Sequence, residues 1–284
     1  MDDKIGAVVS KLQQRLGDDY EVRIVDVTKN NDTVKKGISV RKNGEKIGRI
    51  YYWNGEALEA FLGDVESSPL PDIDFEMSLK KQKDNIVAIL INAEANKERL
   101  KDMPHRMVEG LDLAVVYKII FKKDSEGITS SDINNGMMAM LRVTEDELYT
   151  IAMKNTKEYY VPDIKSMTET LNDMMKEYQD IVEDIPETLF ILSNETRQFG
   201  AICMLYTEVL KKFCVEKMID GVFVIHSSIH EVLLMIADKN KADIGFTKQM
   251  IKEVNNENVS EVERLPPDSP YYYDVATDTL RIAE

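Results

Sequence analysis

The chain has 284 residues, of which 43% are hydrophobic, and this is enough to bury a sizeable core without disulfide bonds. Its 51 acidic residues outnumber its 36 basic residues and give a net charge of −15, which disfavours wholesale binding to nucleic acid or anionic membranes. The two cysteines, Cys203 and Cys214, lie among apolar residues without a CxxC motif, which indicates buried free thiols and not a disulfide framework.

Residues 1–66 predict a small unit in which two helices flank a three-stranded meander. Apolar residues at helical spacing predict a first helix over residues 3–16. Asn43-Gly44 is a strong hairpin turn signal between the second and third strands, and a short helix over residues 56–62 follows them. The three strands are predicted over residues 20–28, 34–41 and 46–53.

Residues 67–110 are predicted to connect this unit to the rest of the chain. Ser67-Ser68-Pro69-Leu70-Pro71 has the composition of a linker. An aspartate at 72 or 74 could then cap a long helix, because apolar residues follow at roughly helical spacing as far as about Lys101.

Residues 111–284 predict a larger domain in which pairs of strands alternate with helices. Thr144 and Glu147 form a capping box that opens a helix to about Asn155. Strands are predicted over residues 111–121, 127–133, 189–192, 201–206, 222–225 and 232–236, and residues 271–282 predict a final hairpin. The fold class is therefore α+β, with the N-terminal unit beside a larger mixed, mainly antiparallel sheet that carries helices.

The densest group of polar residues is His226-Ser227-Ser228-Ile229-His230-Glu231, between two predicted strands. A metal site is disfavoured, because the two histidines lie on a strand–turn–strand segment and no third ligand is evident. A hydrolase would use Ser227 or Ser228 as the nucleophile and His230 as the base, although no GxSxG elbow occurs. The serines could instead shape a structural turn. The cluster could also bind a ligand together with Asn194 and Tyr206.

A second candidate is the basic hairpin between residues 29 and 53, which carries seven positive residues and two negative ones. Cations beside aromatic rings can bind single-stranded nucleic acid, and Tyr51-Tyr52-Trp53 follows the last of these cations. Lysines also protect exposed sheet edges, and an acidic partner segment fits the same charge. The candidate contact residues are Lys35, Lys36, Arg41, Lys42, Lys46 and Arg49.

Several segments together resemble a bacterial protein family of unknown function, DUF5688. They are Leu111–Tyr117, Val143–Thr156, Ile191–Asn194 with Gly200–Tyr206, Ser227–Val232, and the Lys29-Asn30-Asn31 turn. The family pattern includes Ser227, Ser228, His230 and Glu231, whereas it usually has proline where this chain has His226. The resemblance spans nearly the whole chain and implies a bacterial cytoplasmic protein, but it implies no activity.

The residues favour a non-catalytic binding or regulatory protein that uses Asn194, Tyr206, Ser227, Ser228, His230 and Glu231. A Ser/His hydrolase and a nucleic-acid adaptor acting through the basic hairpin remain the alternatives. We expect no cofactor and no metal, a protein or small-molecule partner, and no membrane association, since no signal peptide or bilayer-spanning apolar run occurs.

Overall fold

The computed structural model describes residues 2–44, 48–53, 55, 57–67, 83–124, 127–174, 187–226, 228–238, 244–266 and 270–283. These residues form helices and three antiparallel sheets, which confirms the predicted α+β class. No helix within the described ranges combines the length and the apolar character needed to cross a lipid bilayer.

The N-terminal unit is a three-stranded sheet with two helices on one face, as the sequence predicted. Its elements are α1 (Asp2–Leu16), β1 (Tyr20–Thr28), β2 (Val34–Lys42), β3 (Arg49–Tyr51) and α2 (Leu58–Ser67). The strands lie in the order β1-β2-β3, with both pairs antiparallel. Leu12 of α1, Leu62 of α2, and Ile38 and Val40 of β2 form a core of its own between the helices and the sheet.

The second sheet begins where the sequence predicted a connecting helix. Its strands are β4 (Ile86–Asn92), β5 (His105–Met107), β6 (Leu113–Asp124) and β7 (Gly127–Asp132), with α3 (Lys97–Leu100) between β4 and β5. Strand β6 pairs with β4 on one side and with both β5 and β7 on the other.

The predicted helix to Lys101 is therefore wrong over β4, and β4 and β5 belong to the larger body and not to a connector. All six residues from Ile86 to Ile91 are buried, because both faces of β4 are covered. In such an apolar run, apolar and polar residues do not alternate, which is typical of a fully buried strand. The predicted linker at 68–71 lies outside the described residues.

The third sheet has the strand order β13-β12-β10-β11-β9-β8, with every neighbouring pair antiparallel. The strands are β8 (Pro162–Ser166), β9 (Leu189–Asn194), β10 (Gly221–His226), β11 (Val232–Met235), β12 (Tyr271–Asp274) and β13 (Thr279–Ile282). The helices are α4 (Asn135–Leu141), α5 (Glu145–Tyr159), α6 (Met167–Met174), α7 (Thr207–Lys217) and α8 (Ile244–Asn258). The final hairpin, β12–β13, is confirmed.

The predicted strand over residues 201–206 is wrong, since Gly200–Leu205 forms a 3-10 segment. Ala201, Ile202, Cys203 and Met204 are fully buried, so their apolar run again carries no period that would separate strand from helix. The capping box at α5 is confirmed: the Thr144 hydroxyl accepts from the Glu147 N–H at 3.3 Å, and the Glu147 carboxylate accepts from the Thr144 N–H at 2.8 Å.

The second and third sheets share one hydrophobic core with α4, α5, α7 and the 3-10 segment. Leu113 of β6, Leu148 of α5, Leu192 of β9, Leu210 of α7 and Val224 of β10 all belong to it and are fully buried. Because they share this core, the two sheets form one body. The N-terminal unit docks against that body through the tip of its first hairpin.

Candidate functional site

We use the name polar corner for two segments. One is residues 193–200, which include the last two residues of β9, and the other is the loop 228–231 between β10 and β11. The polar corner contains most of the polar residues that the sequence singled out. Register places Leu192 opposite Val232, so the end of β9 and the start of β11 meet there. Ser227 lies outside the described residues.

Ser228 uses its hydroxyl to shape the turn. Its Oγ accepts a hydrogen bond from the backbone N–H of His230 at 3.1 Å, and the residue is only 8% exposed. It also pairs with Arg264 in an isolated antiparallel bridge. Within the described residues, no hydrogen bond joins the Ser228 hydroxyl to an imidazole, so the geometry of Ser228 is that of a structural turn.

His230 lies at the surface of the corner, and each of its ring nitrogens faces a polar group. Its Nδ1 accepts from the backbone N–H of Phe199 at 3.2 Å, which places the proton of the neutral ring on Nε2. Nε2 lies 3.5 Å from Oε1 of Glu263, and the ring stacks on Phe199 with centroids 5.6 Å apart. Because its side chain is 30% exposed and Glu263's is 42% exposed, the pair is open to solvent.

The backbone of the corner is packed too closely to admit a larger residue at Gly200. A Cβ there would lie 2.3 Å from Ser193 Oγ, 2.6 Å from the His230 carbonyl oxygen and 2.9 Å from the Asn194 backbone nitrogen. The Ser193 hydroxyl donates to that same His230 carbonyl at 2.8 Å. The loop that carries His230 is thereby fixed against the end of β9.

The side chain of Asn194 forms hydrogen bonds with the loop that follows β9. Its Nδ2 donates to the Gln198 carbonyl at 2.7 Å, and its Oδ1 accepts from the N–H and the hydroxyl of Thr196 at 2.9 and 2.8 Å. At 1% exposure it is not available to a ligand in this conformation. Its role in the described geometry is to hold the loop that presents Phe199.

Tyr206 is the N-cap residue of α7. It is 2% exposed, and its hydroxyl has no hydrogen-bond partner among the described residues. Lys157 Nζ lies 4.9 Å from the ring centroid, and burial raises the pKa of the phenol. Within the described residues, no hydrogen bond or ring contact joins Tyr206 to His230.

The two histidines of the motif are in different environments. His226 is fully buried and stacks on Tyr271 at 4.0 Å, whereas His230 faces solvent. Glu231 is partly exposed and forms no ion pair within the described ranges. No group of three or more histidine, cysteine, aspartate or glutamate residues in the described part of the chain is placed to hold a metal ion.

The tip of the β1–β2 hairpin docks beside the polar corner, in an arrangement that we call the clasp: Asn30–Asp32 held by residues 261–264. Asn30 Nδ2 donates to the Val262 carbonyl at 2.8 Å. Asn31 Nδ2 donates to the carbonyls of Glu261 and Arg264 at 2.5 and 3.0 Å. The same segment reaches the corner, because the Ile229 N–H donates to the Glu263 carbonyl at 2.8 Å.

The clasp residues also form hydrogen bonds with the segment around α3. The Asn31 N–H donates to Asn96 Oδ1 at 2.8 Å, and Asn96 Nδ2 donates back to Asn31 Oδ1 at 3.1 Å. The Asp32 carboxylate accepts from the backbone N–H groups of Glu98 and Arg99, both at 3.1 Å. Asn31 adopts a left-handed conformation, with φ 59°, which asparagine tolerates better than most residues.

Three charged residues, Arg99, Lys118 and Asp132, form a cluster between the clasp and Phe199. Asp132 accepts from Arg99 at 2.5 Å and forms an ion pair with Lys118 at 2.6 Å, and Lys118 Nζ lies 5.6 Å from the Phe199 ring centroid. Burial alone would raise the pKa of Asp132, but the two cations outweigh it and hold the pKa below its ordinary value. Asp132 is therefore ionised at neutral pH.

Sequence reasoning missed the clasp, the Asp132 group and the contribution of Phe199. The Lys29-Asn30-Asn31 turn carries a family resemblance, and its adjacent asparagines are also a signal for a left-handed turn residue. Nothing in the sequence marks Phe199. The segments quoted for the resemblance at Lys29–Asn31, Ile191–Asn194 and Ser227–Val232 nevertheless come together here, apart from Ser227, whose position is not described.

Strand pairing divides the basic residues of the hairpin between two faces. Lys36 and Lys42 have the same parity along β2 as the core residues Ile38 and Val40, and Arg49 pairs with Val40. Lys35 and Arg41 point to the opposite side, which we call the outer face. Lys46 lies outside the described residues.

Comparisons with known proteins identify a family but no characterised relative. The model of a family of unknown function, DUF5688, matches residues 3–275. No curated protein and no solved structure matches the chain.

Proposed function

Since the chain belongs to DUF5688, a family without an assigned function, we propose from its own geometry that it is a non-catalytic binding or regulatory protein of the bacterial cytoplasm. Its partner, a protein or a small molecule, would contact the exposed part of the polar corner around His230, Glu231 and Glu263. No cofactor is part of this proposal.

The proposal rests on which polar groups of the corner are bonded within the protein and which remain exposed. Ser228, Ser193 and Asn194 are buried, and they bond to backbone groups or to neighbouring loop residues. His230 and Glu263 are oriented but remain open to solvent. A fixed, exposed imidazole–carboxylate pair on an aromatic ring can recognise a partner, whereas catalysis by the triad route needs a hydroxyl within reach of the base.

Location in the cytoplasm draws support from the cysteines. Cys203 and Cys214 are free and buried, and burial raises the pKa of their thiols to about 12 and about 11. Unpaired thiols are usual in a reducing compartment. The bacterial origin rests on the family resemblance alone.

Photocrosslinking in bacterial cells tests the binding role. A benzoylphenylalanine at position 231 or 263 should give a discrete crosslinked product, and His230→Gln should weaken it while keeping a hydrogen-bond acceptor near the Phe199 N–H. Lys211, an exposed residue of α7, provides the matched control position, where no such product is expected. Equal crosslinking at all three positions would reject specific binding at the corner, and no product at 231 and 263 would reject a protein as the partner there.

A turnover assay tests the competing hydrolase. Purified protein is incubated with p-nitrophenyl acetate, p-nitrophenyl phosphate and labelled casein, beside the His230→Gln variant. We expect the same background rate from both proteins. Turnover that depends on His230 would replace the binding role with an enzymatic one and would draw attention to Ser227.

A further inference from the structure

The outer face of the N-terminal sheet differs from the face that α1 and α2 cover. Along β1 and β2, register pairs Val25 with Gly37 and Val27 with Lys35 on this side, and Ile50 of β3 lies opposite Ser39. None of Val25, Val27, Ile50 and Tyr52 belongs to a hydrophobic cluster of the described residues, and Ile50 is 42% exposed.

Gly37 draws the apolar side chains of this face together. A Cβ at Gly37 would lie 2.5 Å from Ile50 Cγ2, 3.3 Å from Tyr52 Cε1 and 3.4 Å from Val27 Cγ2. These three side chains therefore occupy the space that any other residue would fill. The result is a small continuous apolar patch at the centre of a three-stranded sheet.

Basic residues surround the patch. Arg23, Lys35 and Arg41 lie on the outer face by register, and Lys29 places its Nζ 4.4 Å from the Tyr52 ring centroid. Glu21 is the one acidic residue of β1 on that side, and it pairs with Arg41. Among the described strand residues of this face, Arg23, Lys35 and Arg41 outnumber Glu21, and Lys29 adds a cation beside Tyr52, on a chain whose net charge is −15.

We propose that the outer face docks an acidic segment of a partner protein in which carboxylates flank apolar side chains. The charge of the rim complements carboxylates, and the centre requires apolar groups, because burying that patch against them is favourable. A short segment senses mainly charges within about 8–10 Å, so it is attracted by the rim although the chain as a whole is negative.

The placement of the aromatic residues disfavours single-stranded nucleic acid as the occupant. Binding of that kind relies on aromatic rings whose faces are free to stack on bases. Tyr51 packs edge-on against Phe61 of α2 at 6.5 Å, and Trp53 packs against the core of the N-terminal unit. Lys29 lies over the ring of Tyr52. The three aromatics that the sequence grouped together thus form no common platform.

Fluorescence anisotropy with defined probes tests the proposal on the full chain. The probe is a labelled octapeptide of four Glu-Val repeats, and the comparison probes are four Lys-Val repeats and a ten-nucleotide oligothymidine. We expect binding of the Glu-Val peptide alone. The Arg23→Glu/Lys35→Glu variant should weaken that binding at least about tenfold, since both replaced cations lie on the rim.

The matched control is Lys36→Glu/Lys42→Glu, which changes the net charge equally but on the side of the sheet that faces the helices. It should change the affinity by less than about twofold. A second variant, Val27→Ser/Ile50→Ser, should also weaken binding, because it removes apolar contacts from the patch.

The proposal is overturned if the Glu-Val peptide does not bind, or if both charge variants weaken binding equally. Salt-sensitive binding of the oligothymidine that is lost in Arg23→Glu/Lys35→Glu would assign the face to nucleic acid. A dimer that the same variant dissociates would assign it to a second copy of the chain. His230→Gln should leave peptide binding unchanged. The peptide assay can therefore fail or succeed independently of the test of the polar corner.

Discussion

The polar corner and the outer face of the N-terminal sheet show opposite uses of polar side chains. At the corner, Ser193, Asn194 and Ser228 are buried, and their hydrogen bonds hold loops in place. On the outer face, Arg23 and Lys35 are exposed around an apolar patch. The density of polar residues in a sequence therefore marks where a fold is held together as readily as where it binds.

This contrast can be measured, because substitutions at the corner should cost stability and substitutions on the outer face should not. An unsatisfied buried partner costs about 1–3 kcal/mol, whereas a surface change away from such features usually stays within about 0.5 kcal/mol. Urea unfolding of single variants gives the free energy in each case.

The largest effect is expected for Gly200→Ala, at roughly 3 kcal/mol of lost stability. The added Cβ would contact the His230 carbonyl and the Asn194 nitrogen, which are backbone atoms and cannot rotate away. Gly63→Ala in α2 is the control, since its Cβ would meet nothing within 4 Å and should stabilise the helix by up to about 1 kcal/mol. A stable Gly200→Ala would show that the corner is looser than described.

Asn31→Ala should lower the unfolding free energy by about 2 kcal/mol, because it leaves the Glu261 and Arg264 carbonyls without their donor. Asn31→Gly loses the same hydrogen bonds but accepts the left-handed backbone, so it should cost about 1 kcal/mol less. If the two variants are equally stable, backbone conformation contributes nothing to the clasp.

Asp132→Asn should cost about 1.5 kcal/mol at pH 7, since Arg99 and Lys118 then face each other without their carboxylate. The folded-state pKa of Asp132 is lowered, so its stabilisation is present above the unfolded pKa and is lost as pH falls through the folded one. The stability gap between the wild type and the variant should therefore close as the pH drops below about 4. A gap that is independent of pH would contradict this assignment.

The smallest effect is expected for Arg23→Glu/Lys35→Glu, within about 0.5 kcal/mol of the wild type. Both residues are exposed, and Arg23 lies 3.8 Å from Glu21 in a solvated pair. A loss above about 1 kcal/mol would mean that this face, like the corner, contributes to holding the fold together.

Local patterns were enough to predict part of the fold. The helical spacing of α1, the antiparallel pairing of β2 with β3 and the capping box of α5 each depend on neighbouring residues, and each was predicted correctly. Strand β4 and the 3-10 segment at 200–205 were not, because a segment buried on all sides has no period to read.

The site was less predictable, because its geometry depends on distant residues. Sequence reasoning grouped Tyr206 with His230, although no hydrogen bond or ring contact joins them within the described residues. It could not foresee that Asn31 bonds to Glu261, since the two residues are 230 positions apart in the chain. Lys35 and Lys36 were treated as one patch, although strand alternation alone predicts that adjacent residues face opposite sides.

The clasp sets an order of events during synthesis. The N-terminal unit has its own hydrophobic core and can collapse as soon as it leaves the ribosome. Its hairpin tip can contact the segment around α3 soon afterwards, but the carbonyls that accept from Asn30 Nδ2 and Asn31 Nδ2 are absent until residues 261–264 have emerged. These two side-chain amides therefore remain solvated through most of translation, and closing the long loop to residues 261–264 is a late step in maturation.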